Sequence, residues 1–332
     1  MANLITHSLS YSKEDAQKYF LQPMFVGNSA LDYFEVLTGV TSSQKLDKFG
    51  KYDKITLAET TGFAGATGAA SYTQKTIAVA RMEAEVEQAG GAFFNSIKGE
   101  VLRLGLNKDD ISGTILQQIV ATLMLQGVKR DLNRQVWFGN VSKADANYAA
   151  YDGILTKLAG LPAGQKLNIT SGTLAVGAAK ATFQAQIDAM PNEGLENRAD
   201  LVLFATRSLC DNYRATLGTG NQEQAYLSSV NGTPSLAYQG IPIVEMGLWD
   251  TVIATDPTVT APSLNTGAND FDGHLAVLTV KNNIVIATDY NSVSGADMWY
   301  NKDAKYNRFR FEYVIGTQYK NDELCVTADS NS

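Results

Sequence analysis

Residues that usually build catalytic sites and crosslinks are scarce in this 332-residue chain. Two cysteines, Cys210 and Cys325, lie far apart, so they form neither a disulfide framework nor a paired-cysteine metal site. Charged residues make up 18% of the chain, whereas globular domains carry about 25%. No stretch reaches the roughly 18 apolar residues of a membrane span, and the N-terminal residues lack the pattern of a signal peptide. These absences favour a globular protein that folds in a reducing cytosol and has no membrane partner.

The motifs of common enzyme and cofactor sites are also missing. The sequence has no GxSxG serine motif and no HExxH zinc helix or GxxxxGK[ST] phosphate loop. Residues 218–220 (GTG) lack the third glycine of a dinucleotide turn. Residues 270–273 (DFDG) resemble the start of a calcium loop, but the rest of its ligand series is absent. His274 precedes an apolar strand and is interpreted as a structural histidine. We therefore expect no catalytic residue, no cofactor and no bound metal.

The charge balance argues against tight binding of nucleic acid. The formal net charge is −7, and the nearest approach to a basic cluster is Lys129, Arg130 and Arg134, with Asp131 among them. Each neutralised phosphate needs a cation, so this chain is suited to surrounding DNA without holding it. The low charge content has two explanations: a soluble protein rich in small polar residues, or a surface that neighbouring copies cover.

A long β-hairpin is predicted in the first third of the chain. Ile55 and Leu57 alternate with polar neighbours, and a glycine-rich tip follows at residues 61–70 (TGFAGATGAA). Residues 75–87 then alternate strictly, which indicates a single strand. One predicted face holds Thr76, Ala78, Ala80, Met82, Ala84 and Val86, and the other holds Arg81, Glu83, Glu85 and Glu87. Because an isolated hairpin is marginally stable, it should lie either on a neighbouring subunit or within a sheet of its own chain.

The pattern changes to a helical period between residues 110 and 138. Ile111, Ile115, Ile119 and Leu123 repeat every four residues, and an adjoining row contains Leu116, Val120, Met124, Val128, Leu132 and Val136. Asp109 or Asp110 is a suitable N-cap, and Gly139 would end the helix as a C′ glycine. We predict a long helix with a broad apolar stripe.

The remaining segments predict a mixture of short elements. Residues 139–175 are expected to form loops and short strands, and residues 218–240 and 250–273 are expected to be loops. Helices are predicted at 182–190 and 207–217, and strands at 201–205, 241–246, 275–280, 284–289, 308–315 and 323–328. Lys281-Asn282-Asn283 between two apolar runs predicts either a hairpin or a strand–turn–strand connection. The fold class is α+β. Residues 1–45 are rich in aromatics and must pack either on their own chain or on another copy.

Residues 131–155, DLNRQVWFGNVSKADANYAAYDGIL, resemble tailed-bacteriophage major capsid proteins of the Hong Kong 97 type. In that family a long spine helix carries an acidic residue and ends at a glycine, which match Asp131 and Gly139. A Gly-Ile-Leu-like strand follows, which matches residues 153–155. The family order continues in a helix ending at Pro191, the segment LVLFATRSLCDNYRATL, the strand GIPIV, and last strands that contain Arg308, Arg310, Gly316 and residues 322–324. The resemblance covers about residues 50–328.

The resemblance implies the Hong Kong 97-type fold in four parts. Residues 1–45 would be an N-terminal arm, and residues 46–92 an extended hairpin, the E-loop. Residues 93–195 and 300–328 would form a peripheral domain with the spine helix. Residues 196–299 would form an axial domain.

The resemblance also implies a function as a shell subunit that is not an enzyme. Such subunits assemble into hexamers and pentamers of an icosahedral phage head, and the head encloses double-stranded DNA without sequence-specific binding. Portal, scaffolding and decoration proteins would be further partners, and the protein would be found in the virion after assembly in the cytoplasm of the host bacterium. The expected inter-subunit contacts are Gly62, Phe63, Gly65, Gly68, Arg81, Glu83 and Glu85. The alternatives are an encapsulin-like compartment shell and a non-assembling β-rich binding module.

Overall fold

The computed structural model describes residues 31–50, 72–89, 115–143, 145–169, 173–217, 228–230, 233–255, 273–289 and 297–330. The helices are α1 (Ile115–Phe138), α2 (Ile154–Leu158), α3 (Ala178–Asp188), α4 (Asn192–Glu196), α5 (Arg207–Thr216) and α6 (Gly247–Thr255). The first strands are β1 (Glu35–Thr38), β2 (Ser43–Phe49), β3 (Tyr72–Ala78), β4 (Ala80–Ala89), β5 (Lys166–Ile169) and β6 (Leu201–Ala205). They are followed by β7 (Ser228–Val230), β8 (Thr233–Ser235), β9 (Ala237–Tyr238), β10 (Ile241–Glu245), β11 (Leu275–Val280), β12 (Ile284–Thr288), β13 (Asp297–Asn301), β14 (Tyr306–Tyr319) and β15 (Cys325–Ser330).

Two sheets organise the described chain, and the predicted α+β class is confirmed. One sheet has the order β1-β12-β14-β13, with β4 pairing along β14 as a fifth strand. The other sheet has the order β5-β15-β11-β6-β10-β9. Strands β2 and β3 form a separate pair, as do β7 and β8. Strands from both predicted domains occur in each sheet, and the domain ranges remain a prediction.

The six-stranded sheet is buried on both faces, which explains its continuous apolar strands. In β6, Val202 and Phe204 face a core that also contains α1, α2 and α6. Leu201 and Leu203 face a second core that contains α3 and α5. A strand between two cores needs apolar residues at every position, and all five residues of β6 are buried. The predicted strand at 201–205 and the helix after it are both observed.

Helix α1 packs by the predicted apolar row, but its stripe is narrower than expected. Leu132 and Val136 are fully buried, whereas Leu123 is 61% exposed. At the end of the helix, Gly139 is not among the described glycines with positive φ, so it is not a left-handed C′ residue. An added Cβ on Gly139 would lie 2.5 Å from the carbonyl oxygen of Tyr151. Glycine is required here because the chain after the helix folds back against it.

Several predicted connections differ from the structure. The residues after Gly153 form helix α2 instead of a strand, because Ile154, Leu155 and Leu158 all turn into the core beneath α1. Residues 247–255, partly predicted as loop, form helix α6, which buries Trp249 against Trp137 with ring centroids 4.7 Å apart. Strands β7, β8 and β9 lie within the loop predicted at 218–240.

Strands β11 and β12 follow one another in sequence but belong to different sheets. The turn between them contains Asn282 with φ +62°. The side-chain Nδ2 of Asn283 donates a hydrogen bond to the backbone oxygen of Asn321 at 3.1 Å. The strand–turn–strand prediction is therefore right and the hairpin alternative is wrong. Local sequence cannot distinguish them, because each strand chooses its partner from residues far away in the chain.

The described part of the predicted N-terminal arm packs on its own chain. Strand β1 pairs in parallel with β12, and Phe34 is buried with its ring 5.6 Å from Trp137. Residues 1–30 lie outside the described residues.

Candidate assembly interface

The predicted hairpin is present at its base, which is formed by β2 and β3 and is called the hairpin root. The two strands pair antiparallel from Ser43 with Ala78 to Phe49 with Tyr72. Ile55 and Leu57, which were predicted to lie in the first strand, fall outside the described residues. So do four predicted contact residues at the tip: Gly62, Phe63, Gly65 and Gly68.

The single predicted strand at 75–87 is divided in two at Val79. Strand β3 belongs to the hairpin root, whereas β4 joins the five-stranded sheet beside β14. The inward face changes at this break: Ile77 is fully buried, while Thr76 and Ala78 are exposed. The prediction that Thr76 and Ala78 share a face with Met82 is therefore wrong. The chain crosses β14 so closely there that a Cβ on Gly316 would lie 2.1 Å from the Ala78 carbonyl oxygen.

The hairpin root has its own small apolar core on the five-stranded sheet. Leu46 of β2 and Ile77 of β3 are buried against Val285 and Ala287 of β12. The Gln318 side chain also donates to the backbone oxygen of Thr76 at 3.0 Å. The base of the hairpin is thus fixed to its own chain.

Polar contacts join the hairpin root to the C-terminal part of the chain. Lys48 of β2 donates to Oδ1 of Asn321 at 2.6 Å and lies 3.2 Å from Oε2 of Glu323 and 3.9 Å from Oε2 of Glu193. Lys75 of β3 forms an ion pair with Asp322. The sequence prediction missed these contacts, because lysines in alternating strands look like ordinary exposed charges and their partners lie more than a hundred residues away.

Three predicted contact residues lie together on the exposed face of β4. Arg81, Glu83 and Glu85 all point to solvent, as the alternation predicted. Arg310 on the neighbouring strand bridges this face, at 2.7 Å from Glu83 and 3.2 Å from Glu85. It also lies 2.9 Å from Glu312. The guanidinium thereby holds three carboxylates together, two of them directly opposite each other in the Glu83–Glu312 pair of the ladder.

A groove separates β4 from helix α1 on the other side of the same strand. Its walls include Met82 and Val86 from β4 and Leu123 and Gly127 from α1. Leu123 and Val86 leave apolar surface exposed beside acidic side chains. The mixture of apolar and charged groups is typical of surfaces that contact other proteins.

A serine–histidine pair is the nearest approach to catalytic chemistry in the described residues. Oγ of Ser208 lies 2.8 Å from Nδ1 of His274, which is buried. The nearby carboxylate of Asp250 accepts hydrogen bonds from the backbone amides of Arg207 and Ser208 at 2.7 and 3.3 Å, at the beginning of α5. Asp250 therefore acts as a helix cap, and the structural role of His274 stays a prediction.

The described ranges offer neither a metal site nor a membrane-spanning helix. They contain no group of three or more His, Cys, Asp or Glu side chains placed to hold a metal ion. None of the helices in these ranges is long and apolar enough to cross a membrane.

Comparisons with known proteins show similarity in structure alone. No family model matches the chain, and no curated protein matches its sequence. A satellite phage P4 procapsid structure that includes the size determination protein is similar over 95% of this chain and 90% of the other, with 12% identity and a TM-score of 0.57. A structure from Mycobacterium phage Ogopogo matches over 91% and 92%, with 13% identity and a TM-score of 0.55. The capsid of a native GTA particle matches over 100% and 94%, with 12% identity and a TM-score of 0.54.

These matches cover nearly the whole of both chains, so the similarity concerns the complete arrangement of sheets and helices. At such low identity it concerns the fold and not individual residues. The chain therefore has the fold of tailed-bacteriophage major capsid proteins, as the sequence resemblance predicted.

Proposed function

We propose that this protein is a major capsid protein that assembles into the hexamers and pentamers of an icosahedral phage head around double-stranded DNA. The observation that carries the proposal is the end-to-end match with phage capsid structures. Heterologous contacts between identical subunits close into rings when the rotation permits. Each subunit engages several neighbours, so individual contacts can be weak.

Features of the described surface support a subunit that contacts its own copies. Among the described strands β4 pairs only with β14, and its other edge is the one proposed to meet a neighbouring subunit. The charges along β4 are those that natural proteins use to prevent indiscriminate pairing of edge strands. The contact residues proposed are Gly62, Phe63, Gly65 and Gly68 at the hairpin tip, and Arg81, Glu83 and Glu85 on β4. The net charge of −7 suits a shell that surrounds DNA without holding it.

Negative-stain electron microscopy and size measurement of the expressed protein test the proposal directly. A shell subunit forms closed particles, whereas a binding module stays near 35.8 kDa. A protein that remains a single chain at high concentration would contradict the proposal. Particles filled with protein cargo, and without DNA or portal, would instead indicate an encapsulin-like compartment.

Deletion of residues 60–72 tests the role of the hairpin tip. We expect a soluble, folded protein that no longer forms normal shells, because the deletion spares most of the hairpin root and removes the reach of the hairpin. The matched control replaces the same residues by a glycine–serine segment of equal length. This variant keeps the length of the hairpin and removes only the side chains of its tip. Normal particles from the deletion variant would show that the tip has no part in assembly.

A further inference from the structure

The polar contacts of the hairpin root form one connected group. The 3-10 turn Asp322–Leu324 and helix α4 present three carboxylates to the two lysines of the root. Lys48 reaches two of these carboxylates, and they come from different elements, Glu193 of α4 and Glu323 of the turn. Lys75 pairs with the third, Asp322, and its Nζ lies 3.3 Å from the centre of the Tyr319 ring. Each hairpin strand therefore contributes one cation to the same acidic turn.

The turn itself is rigidly held, so it can act as a fixed anchor. The Asn321 side chain accepts from the Glu323 amide at 3.0 Å and caps the turn. Gln165 donates to the backbone oxygens of Asp322 and Cys325 at 2.6 and 2.8 Å. Behind the turn, β15 lies inside the six-stranded sheet. A lysine bound to this turn is therefore connected to the six-stranded sheet, although the hairpin root packs on the five-stranded sheet.

The pKa values of the two neighbouring glutamates, Glu193 and Glu323, are shifted in opposite directions. A hydrogen bond with Glu323 raises the pKa of Glu193, and burial raises it further. The same hydrogen bond, together with that from Lys48, lowers the pKa of Glu323. The carboxylate of Glu323 therefore keeps its negative charge beside Lys48 more readily than that of Glu193 does.

We propose that five side chains form an ionic latch that fixes the direction of the hairpin relative to the six-stranded sheet. They are Lys48 and Lys75 of the root, with Glu193, Asp322 and Glu323. The buried side chains of Leu46 and Ile77 hold the root to β12. The latch adds polar contacts between the root and the turn that precedes β15. Among the described residues, Tyr319 and Cys325 are further titratable groups that face the latch. The latch lies within one chain and does not depend on the proposed function. Only its consequence rests on that function, because the direction of the root decides where the hairpin reaches on a neighbouring subunit.

Amide hydrogen exchange of the full chain tests the latch without reference to shell formation. In a Lys48→Met, Lys75→Met double variant we expect residues 43–49 and 72–78 to lose roughly two- to fivefold of their protection, the factor that partly exposed ion pairs support. Lys45→Met is the matched control, because Lys45 lies exposed on the same strand and outside the latch. Amides of β6 are the internal reference, and all proteins are compared in the same assembly state.

The result that overturns the latch is equal protection of the root in the double variant and the control. Loss of protection that extends equally to β6 would also overturn it, since that pattern indicates general destabilisation. High salt provides a measurement without mutation: it should weaken protection of the wild-type root and leave the double variant unchanged. Failure to form particles would contradict the proposed function and leave these exchange results valid.

A pH series with Glu193→Gln tests the hydrogen bond between the two glutamates. Because the pKa of Glu193 is raised in the folded chain, its contribution is lost as the pH rises through that raised value. Because the pKa of Glu323 is lowered, its contribution is lost as the pH falls through the lowered value. Root protection, corrected for intrinsic exchange, should therefore be greatest between the two. The glutamine variant should keep the acid-side loss and lack the loss on the alkaline side; a profile identical to wild type would show that Glu193 has no part in the pH dependence of the root.

Discussion

At the scale of single residues, close backbone contacts explain positions that the sequence alone leaves ambiguous. Gly316 lies in an alternating strand where any small residue would satisfy the pattern. Its importance comes from the chain that crosses it, since the Ala78 carbonyl occupies the space of a Cβ. The fold therefore depends on glycine there for a reason that no local pattern contains.

Gly316→Ala should lower the free energy of unfolding by about 1–3 kcal/mol, because overpacking forces the crossing strand to move. Gly127→Ala is the matched control: beyond the backbone of its own helix, no described neighbour lies within 4 Å of the added Cβ, and the residue is in the middle of α1. That control should raise the stability by about 0.5–1 kcal/mol, since alanine favours helix. Denaturant unfolding measures both. Equal effects of the two substitutions would show that the crossing is looser than described.

At the scale of elements, the sequence predicts the helix but not which part of its stripe is buried. The four-residue period gives the same weight to Leu123 and Leu132. In the structure Leu132 lies beneath α2 and the second sheet, whereas Leu123 lines an open groove. The difference is tertiary, because it depends on where the packed elements end along the helix.

Leu132→Ala should destabilise the protein by about 2–5 kcal/mol, the cost of removing a fully buried leucine and leaving a cavity. Leu123→Ala makes the same chemical change on the same helix at an exposed position, and should alter stability by less than about 0.5 kcal/mol. Thermal or urea unfolding of the two variants gives the comparison. A similar cost at both positions would mean that the groove is occupied in the folded protein.

The alternating run at residues 75–87 illustrates how far an element can be read from sequence. Its period identified an extended chain and placed the charges of β4 on the solvent side. It did not reveal the break at Val79, because a change of face needs only one residue out of register and leaves the composition unchanged. The hairpin partner of β3 was likewise out of reach, since β2 carries a weak pattern.

At the scale of the whole molecule, the overall fold was predictable from the order of several weak segments, while strand neighbours were not. The order of LVLFA, GIPIV and the last strands suggested the fold class and the family resemblance. Strand β15 pairs with β5, about 160 positions earlier in the chain, and with β11, about 50 positions earlier. Such pairings depend on the complete set of apolar faces, and not on any one segment.

Removal of residues 325–332 should prevent folding of the whole chain, because β15 is an interior strand of the six-stranded sheet and contributes to both of its cores. Removal of residues 331–332 alone is the control and should leave the unfolding transition unchanged. Circular dichroism during heating distinguishes the two. A cooperative transition in the longer truncation would mean that the six-stranded sheet closes without this interior strand.

The position of β14 and β15 has a consequence for the timing of synthesis. Residues 306–330 supply the strand beside β4 and the strand between β5 and β11, so neither sheet can be completed before these residues have been synthesised. A nascent chain that still lacks them has no β14 on which β4 can pair. Both sheets therefore close late in synthesis, after most of their other strands are already present.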